Sequence, residues 1–441
     1  MNRVMNGFFV FLTVAGLGFL SFFGGVLVGE YDVRPFYSLL RPAFALADLL
    51  CDRPMNGALL GNSGLWSARP AGKTGLVYAA PSKAFEGYTL LSSAHEQSAF
   101  LYDMQGELVH KWQLPFEQIW ETPPYAETPA AHAQFYWRSM HLYPNGNLLV
   151  SCCLADNPRG YGLVLMDSES NPVWTLDERV AGAFSVDGAG RIHALVREIR
   201  NEPIPDLPQL VCPFIDDVLV TFSPEREVLS RVSLIDQAVK AVGGRNLSFL
   251  KPLPDGALGT SSIHPVSSAL AGKFPAVNEG DLLVSMSAAG LLAIVSADTG
   301  KIEWIFDGPG EKQSCARASA AGDILLFDGQ GLKQRGLKSA VVRLDPAKRK
   351  VTWLYSGQPG QALNSAYHAV LEELPNANLL VTEAMEGRIF ELTPDRKVVW
   401  DWRSPFRAGK DDSFVAVVLG AKRYGKNEID FKFNNGGREW F

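Results

Sequence analysis

Three of the seven histidines in the chain stand at equivalent places in different parts of the sequence. His141 lies in "RSMHLYPNGNLLV", His264 in "SSIHPVSSAL" and His368 in "SAYHAVLEELPNANLLV", each ahead of a polar turn that leads into an apolar run. An imidazole can transfer a proton, attack as a nucleophile or hold an anionic group. One such histidine is explained by packing in a strand. Three at matching places favour a shared site.

Two short patterns recur along the chain and predict the elements that carry these histidines. The first is a polar turn followed by an apolar strand, as in "PNGNLLV", "EGDLLVS", "AGDILLF" and "PNANLLV". The second places a turn ahead of a tryptophan, as in "YDMQGELVHKW", "MDSESNPVW", "SADTGKIEWIF" and "LTPDRKVVW". Asn-Gly and Gly-Asp corners supply the positive φ that tight hairpins need. The repeated unit is therefore a set of short antiparallel strands.

The spacing of the repeats predicts the fold. The repeats end at Trp112, Trp174, Trp304, Trp353 and Trp400, and the last three are 47 to 49 residues apart, which is typical of a propeller blade. A degenerate copy at 218–232 fills the gap after Trp174. We predict an all-β chain, with a six-bladed β-propeller at residues 74–410 and a C-terminal tail at 411–441. The Asp, Gly and Trp residues are expected to close turns and pack between sheets.

Composition excludes several classes of function. The net charge is -6 and no long basic run is present, which argues against nucleic-acid binding, since phosphates need a concentrated cationic face. Five cysteines in 441 residues are too few for a disulfide scaffold, and no Cys/His cluster has zinc spacing. We therefore predict no metal and no cofactor.

The N-terminal segment has a different character from the rest of the chain. Residues 7–28, "GFFVFLTVAGLGFLSFFGGVLV", carry no charge and are long enough as a helix to cross a bilayer. We predict a transmembrane anchor at residues 1–29, followed by a juxtamembrane segment at 30–73. A cleaved signal peptide is the alternative, although the apolar run is longer than usual for one. Because basic residues flank the span on both sides, charge does not decide its orientation.

Several strings, in their order along the chain, resemble the arylsulfate sulfotransferase family. They are "MHLYPNGNLLV", "IHPVSSAL", "EGDLLVSMSAAGLLAIVSADTGKIEWIFDGPG", "QSCARASAAGDILLFDGQG" and "SAVVRLD", within a similarity that covers residues 87–402. The resemblance implies a six-bladed propeller of the bacterial periplasm. It also implies transfer of sulfate from an aryl sulfate to a phenol through a sulfated histidine, with further histidines and an arginine around the sulfuryl oxygens. We therefore predict a single-pass inner-membrane protein with its propeller in the periplasm.

The site residues implied by the resemblance are only partly present. His141 and His264 match two family histidines, although Val266 replaces the asparagine of the "HxNS" motif. Met286 or Ser287 stands where the family has an arginine. The family's sulfated histidine lies in "QH", where this chain has Gln313 followed by Ser314 and Cys315. Arg317 is close to these residues in sequence and can restore the positive charge of the family's arginine. Cys315 is either a nucleophile or a packed strand residue.

Three functional hypotheses follow, and the sequence leaves them open. The first is a membrane-anchored propeller that has lost sulfuryl transfer and serves as a binding or assembly module. It would have a small anionic or aryl ligand and a membrane-protein partner. The second is an active arylsulfate sulfotransferase with His141, His264 and His368 as candidate catalytic residues. The third is a redox propeller that uses a quinone or the Cys152–Cys153 pair. The candidate ligand-binding residues are Gln313, Ser314 and Arg317.

Overall fold

The computed structural model describes residues 64–434, except for 70, 121–124, 126–134, 155–156, 254–255, 309–311, 331–338 and 359–360. The chain divides into two units, Met1–Asn56 and Gly57–Phe441, and the described residues belong to the second. The predicted transmembrane helix at residues 7–28 lies outside the described residues. Among the helices that the structure describes, none is long and apolar enough to cross a bilayer.

The described part of the chain is built from antiparallel sheets, of which six have four or five strands. Blade 1 consists of β3 (Tyr88–Ser93), β4 (Ser98–Tyr102), β5 (Leu108–Gln113) and β30 (Val418–Tyr424). Blade 2 consists of β6 (Phe135–Leu142), β7 (Leu148–Leu154), β8 (Asn157–Met166) and β9 (Pro172–Leu176). Blade 3 consists of β10 (Val180–Val186), β11 (Ile192–Arg200), β12 (Phe214–Phe222) and β13 (Val228–Ser233).

The other three large sheets follow in chain order. Blade 4 consists of β14 (Thr260–Pro265), β15 (Leu282–Met286), β16 (Leu291–Val295) and β17 (Ile302–Asp307). Blade 5 consists of β18 (Gln313–Ala318), β19 (Ile324–Asp328), β20 (Ala340–Asp345) and β21 (Lys350–Tyr355). Blade 6 consists of β24 (Val370–Glu373), β25 (Leu379–Glu383), β26 (Arg388–Leu392), β27 (Val398–Arg403) and β2 (Gly75–Ala79).

The remaining elements are short. The small strands are β1 (Trp66–Ala68), β22 (Gly357–Gln358), β23 (Gln361–Ala362), β28 (Arg407–Ala408) and β29 (Phe414–Ala416). The α-helices are α1 (Phe116–Ile119), α2 (Leu234–Val242) and α3 (Ser268–Ala271). Single 3-10 turns lie at Gly244–Leu247, Ala384–Glu386, Lys410–Asp412 and Lys426–Glu428.

The six large sheets close into a ring. The innermost strands are β30, β6, β10, β14, β18 and β24, and each contacts the next in this order, with β24 returning to β30. Strands such as β15 and β16 are buried along their whole length because a neighbouring sheet covers each face. This arrangement is a β-propeller, and the predicted all-β propeller is confirmed.

The repeated tryptophans join neighbouring blades, as the spacing predicts. Trp112, at the outer strand of blade 1, donates its indole N–H to the carbonyl of Gly146 in blade 2, at 3.1 Å. Trp400 of blade 6 donates in the same way to Met104 of blade 1, also at 3.1 Å. In the preceding turn of blade 1, Asp103 accepts the backbone N–H groups of residues 105 and 107. The aspartate therefore closes the turn, and the tryptophan ties one sheet to the next.

The boundary predicted at residue 410 is wrong, because the last part of the chain contains a strand of the ring. β30 pairs antiparallel with β3, with Thr89 opposite Arg423, and forms the innermost strand of blade 1. At the other end of the described chain, β2 adds a fifth, outermost strand to blade 6. No turn-strand repeat precedes β30, since it completes a blade whose other strands lie near the start of the propeller. The repeat pattern of the sequence therefore does not predict β30.

Candidate functional site

A cavity of about 110 Å³ lies where the six innermost strands meet. Residues from all six blades line it, including Arg138 of β6, His264 of β14, Arg317 of β18 and Lys422 of β30. A cavity on the axis of a propeller can be reached by side chains from every repeat, which is why function in this fold concentrates there.

Register irregularities near the starts of the innermost strands change which side chains face the axis. β6 shifts between Trp137 and Met140, and β18 shifts between Gln313 and Cys315. β10 and β14 have similar shifts near their first residues. A bulge interrupts the strict alternation of side chains and redirects the residues beside it. Consecutive residues, such as Arg138 and Ser139, can therefore both line the cavity.

The charge on the cavity wall is of one sign. Arg138, Arg317 and Lys422 line it, and no carboxylate does so within the described part of the chain. Hydroxyl groups of Ser261 and Ser314 add neutral polar surface. Cationic groups that share a narrow cleft reinforce one another and attract anions. The wall is therefore suited to a small anion.

His264 is a neutral imidazole on this wall. Burial lowers its pKa well below the usual value, and the positive charges of Arg317 and Lys422 lower it further. Each of these effects disfavours the protonated ring. At neutral pH His264 therefore contributes one N–H donor and one nitrogen acceptor, without charge.

His368 is held just before β24 in a conformation that is uncommon for a residue with a side chain. Its φ is 60°, in the left-handed region, which costs on the order of 1 kcal/mol or more. Burial, with a contribution from the charge of Arg138, lowers the pKa of His368 to about 3. Its Nδ1 atom is buried without a hydrogen-bond partner among the described residues. His368 thus brings a neutral, unpartnered polar atom to the cavity.

Two further cavity residues carry buried polar atoms of the same kind. The Nε atom of Arg317 and the Oγ atom of Ser314 have no hydrogen-bond partner in the part of the chain that the structure describes. Leaving a buried donor unsatisfied costs about 1–3 kcal/mol, and more for a charged group. An oxyanion accepts hydrogen bonds only, so its oxygen atoms would satisfy donors of this type.

Lys422 connects the cavity to a buried acid. Burial lowers the pKa of Lys422, while the negative charge of Glu372 on β24 opposes this effect. Burial also raises the pKa of Glu372, against the charges of Lys422 and Arg317 and a hydrogen bond from the backbone N–H of Arg423, at 2.9 Å. Lys422 lines the cavity, whereas Glu372 does not.

The cavity brings together four of the six residues that the sequence singled out, namely His264, Ser314, Arg317 and His368. His141 is not among the lining residues. Its ring contacts that of Tyr143, with 4.6 Å between the centroids, and burial together with Lys422 lowers its pKa to about 4.

Gln313 is also absent from the cavity wall. It is completely buried, its backbone carbonyl accepts a hydrogen bond from Ser261 Oγ at 2.8 Å, and its side chain reaches the carbonyl of Gly290 at 3.5 Å. The shift that follows Gln313 in β18 places its side chain between strands of neighbouring blades instead of at the axis.

Sequence reasoning missed two cavity residues, Arg138 and Lys422. Arg138 precedes His141 by three residues in "RSMH", so a search around the predicted histidine could have found it. Lys422 lies in β30, within the segment predicted to be a tail, and no repeat pattern marks it.

The vicinal cysteines are not joined by a disulfide bond in this structure. Cys152 and Cys153 are both free thiols, buried in β7. Burial raises the pKa of both, that of Cys153 to about 11, so neither is a thiolate at neutral pH. Cys315 is a third buried free thiol, and it lines the cavity.

The chain is thus a β-propeller with a cationic axial cavity, and a family comparison agrees with the resemblance seen in its sequence. The model of the arylsulfotransferase (ASST) family matches residues 212–405. The family prediction is confirmed for this segment, which runs from the loop before β12 to the end of blade 6. No curated protein matches the chain.

Solved structures with a similar fold share little sequence with this chain. One is a protein of unknown function from Bacteroides caccae, with a TM-score of 0.47 and 12% identity, over 76% of this chain and 98% of that one. Another is the Cps50 (Swd1) β-propeller domain of Myceliophteria thermophila, with a TM-score of 0.42 and 11% identity, over 80% and 99% of the two chains. A third is virginiamycin B lyase from Staphylococcus aureus, with a TM-score of 0.36 and 9% identity, over 62% and 71%.

Proposed function

We propose that the propeller is a binding module that holds a small oxyanion in its axial cavity and does not transfer a sulfuryl group. One observation carries this proposal. Arg138, Arg317 and Lys422 line a cavity whose described wall has no carboxylate, and Nε of Arg317 and Oγ of Ser314 have no hydrogen-bond partner among the described residues. Each charge-assisted hydrogen bond to an oxyanion is worth about 1.5–3 kcal/mol.

The residue at the position of the family's sulfated histidine argues against transfer. Ser314 stands there, and its Oγ has no hydrogen-bond partner among the described residues. A serine hydroxyl is a weak nucleophile unless a general base accepts its proton. With no such base bonded to it, Ser314 can donate a hydrogen bond to an anion but cannot replace an imidazole that attacks sulfur.

The activity can be tested with para-nitrophenyl sulfate as donor and phenol as acceptor. We expect no release of para-nitrophenolate above the protein-free rate, because losing a covalent nucleophile removes the pathway and losing one stabilising donor costs about 10²–10³ in rate. Turnover by the unaltered protein that disappears in His368→Asn would refute the proposal and make His368 the nucleophile.

Binding can be tested with the same aryl sulfate by titration calorimetry. We expect Arg317→Ala to weaken binding by about tenfold or more, since 1.4 kcal/mol corresponds to a factor of ten. Arg245→Ala is the matched control because Arg245 is exposed and does not line the cavity. Equal losses in the two variants would show that general charge, and not the cavity, accounts for binding.

A second part of the proposal concerns location. The uncharged segment at residues 7–28 supports attachment to a membrane, and the family resemblance supports an inner membrane with the propeller in the periplasm. A carbonate wash of bacterial membranes, followed by protease treatment of spheroplasts, tests both points. Release of the protein by carbonate, or full protection of the propeller from protease, would contradict this placement.

A further inference from the structure

The polar groups of the axial cavity lie at two levels along the innermost strands. Ser314 lies in the register shift of β18, and Arg317 lies two residues beyond Cys315, where the shift ends. Because a strand rises about 3.3 Å per residue, the backbones of Ser314 and Arg317 are separated by about 7–10 Å. Ser261 Oγ bonds to the carbonyl of Gln313, which places the start of β14 level with the start of β18. His264, three residues further along, is then level with Arg317.

The other two cationic residues, Arg138 and Lys422, also lie at different levels along the strands. A Cβ atom built on Gly420 would lie 3.1 Å from the backbone carbonyl oxygen of Arg138, so these two residues are level. Lys422 follows Gly420 by two residues on β30, or about 7 Å. We call the level of Arg138, Ser314 and His368 the entry level, because Ser314 and His368 lie close to the starts of β18 and β24 and the charge of Arg138 acts on His368. The level of His264, Arg317 and Lys422 is the exit level.

Electrostatics supports this division. The charge of Arg138 lowers the pKa of His368 at the entry level. The charges of Arg317 and Lys422 lower the pKa of His264 at the exit level. Each imidazole is thus influenced by the cationic side chains of its own level.

The side chain of Arg138 occupies space that is open because Gly182 has no side chain. Gly182 on β10 has a φ of 92°, and a Cβ atom at this position would lie 2.4 Å from Cδ of Arg138. The Arg138 guanidinium also lies 3.5 Å from the carbonyl of Ala181. Any larger residue at position 182 would displace the arginine. The place of the guanidinium is therefore set by two adjacent blades.

The entry level has the donors that a second oxyanion requires. The guanidinium of Arg138 supplies a positive charge, and His368 and Ser314, whose Nδ1 and Oγ atoms have no hydrogen-bond partner among the described residues, line the same cavity. The left-handed φ of His368 raises the conformational energy of the backbone at this point. Between the two levels the wall includes Ala369 and Ala421, which present only methyl groups.

We propose that the cavity binds a rod-shaped dianion, with one oxyanion at each level and a short apolar body, such as one aromatic ring, between them. This inference rests on the proposed function, and it assigns the first oxyanion to the exit level. It adds a second anionic subsite, at Arg138, on a level whose backbone lies about 7–10 Å from that of the first.

Three simple carboxylates test the spacing in the unaltered protein. Terephthalate has carboxylates at opposite ends of a benzene ring, isophthalate has them at an angle, and benzoate has one. Titration calorimetry should show that terephthalate binds about tenfold more tightly than benzoate, and more tightly than isophthalate. Equal affinities for terephthalate and benzoate would overturn the second subsite but leave the first. Absence of binding by any of them would overturn the proposed function as well.

Two different variants test whether Arg138 forms the second subsite. Arg138→Gln should reduce the advantage of terephthalate over benzoate to less than about twofold, whatever its effect on benzoate itself. Gly182→Ala should have the same effect, because it displaces Arg138 without removing its charge. Arg245→Gln serves as the control for net charge, and thermal unfolding verifies that each variant is folded. An advantage of terephthalate that persists in both cavity variants would contradict the assignment to Arg138.

Discussion

At the scale of single residues, burial and neighbouring charge determine what the cavity can do. His264 and His368 stay neutral because desolvation and nearby cations both disfavour the imidazolium. The positive charge on the wall therefore comes from arginine and lysine, and the imidazoles serve as polar partners. A binding site for an oxyanion needs this combination, because charge attracts the ligand and neutral donors fix its orientation.

The depressed pKa of His368 predicts a specific dependence of stability on pH. The pKa is about 3 in the folded chain and about 6.5 when unfolded, so between these values the unfolded state binds a proton that the folded state does not. Acidification from pH 7 to pH 5 should therefore cost about 2 kcal/mol of unfolding free energy through this residue.

His368→Asn removes this contribution, and asparagine tolerates the left-handed backbone. Urea unfolding at pH 7 and pH 5 should show that the variant loses about 2 kcal/mol less than the unaltered protein over this interval. The difference between the two proteins isolates His368 from the other titrating groups. Identical pH dependence would mean that the imidazole is protonated in the folded state.

Several residues of the axial cavity could be predicted from sequence and others could not, for a reason that lies in strand geometry. Repeat position or family resemblance pointed to His264, His368, Ser314 and Arg317, which line the cavity. Gln313 does not line it, because the shift in β18 interrupts the alternation of side chains, and sequence does not mark that shift. Arg138 depends on a similar shift in β6 and on the space above Gly182.

At the scale of elements, the outer-strand tryptophans hold neighbouring sheets together. Trp400 is fully buried, and its indole N–H bonds to Met104 in the next blade. Trp353 makes the equivalent bond, at 3.2 Å, to the carbonyl of Pro394 in blade 6, but at a more exposed position. Blade number could be predicted from the sequence because each repeat carries its own turn and, in five of six, its own tryptophan.

The two tryptophans differ in burial, and this predicts different costs of substitution. Trp400→Phe should lower the unfolding free energy by about 1–3 kcal/mol, because it leaves the partly buried carbonyl of Met104 without its donor. Trp353→Phe should cost only a few tenths of a kcal/mol, since water can replace the lost bond at the surface. Urea unfolding measures both. A cost for Trp353→Phe as large as that for Trp400→Phe would contradict the role of burial.

At the scale of the whole molecule, the ring is closed by strands from distant parts of the chain. β30 completes blade 1, and its Arg423 forms a fully buried ion pair with Glu391 of blade 6, at 3.4 Å. Arg423 also donates to Thr89 Oγ1 at 2.8 Å and to the carbonyl of Phe85 at 2.7 Å. Lys422 of the cavity is the next residue along the same strand. Closure of the ring and assembly of the site therefore depend on one element.

The ion pair predicts a non-additive response to substitution. Arg423→Met should lower the unfolding free energy by about 3–5 kcal/mol, because it leaves the Glu391 carboxylate buried without a counter-charge. The double variant with Glu391→Gln should recover part of this loss, since no uncompensated charge remains. Urea unfolding of the two single variants and the double variant completes the cycle. Additive losses would show that the two side chains do not interact.

The central claim is that the axial cavity binds an oxyanion and leaves it chemically intact. The most direct test is a crystal structure of the protein grown with para-nitrophenyl sulfate. We expect electron density for the whole aryl sulfate in the cavity, with sulfate oxygens within hydrogen-bond distance of Arg317 or Arg138. Density for a sulfuryl group bonded to the ring nitrogen of His264 or His368, with the aryl group gone, would contradict it, as would a ligand bound only outside the cavity.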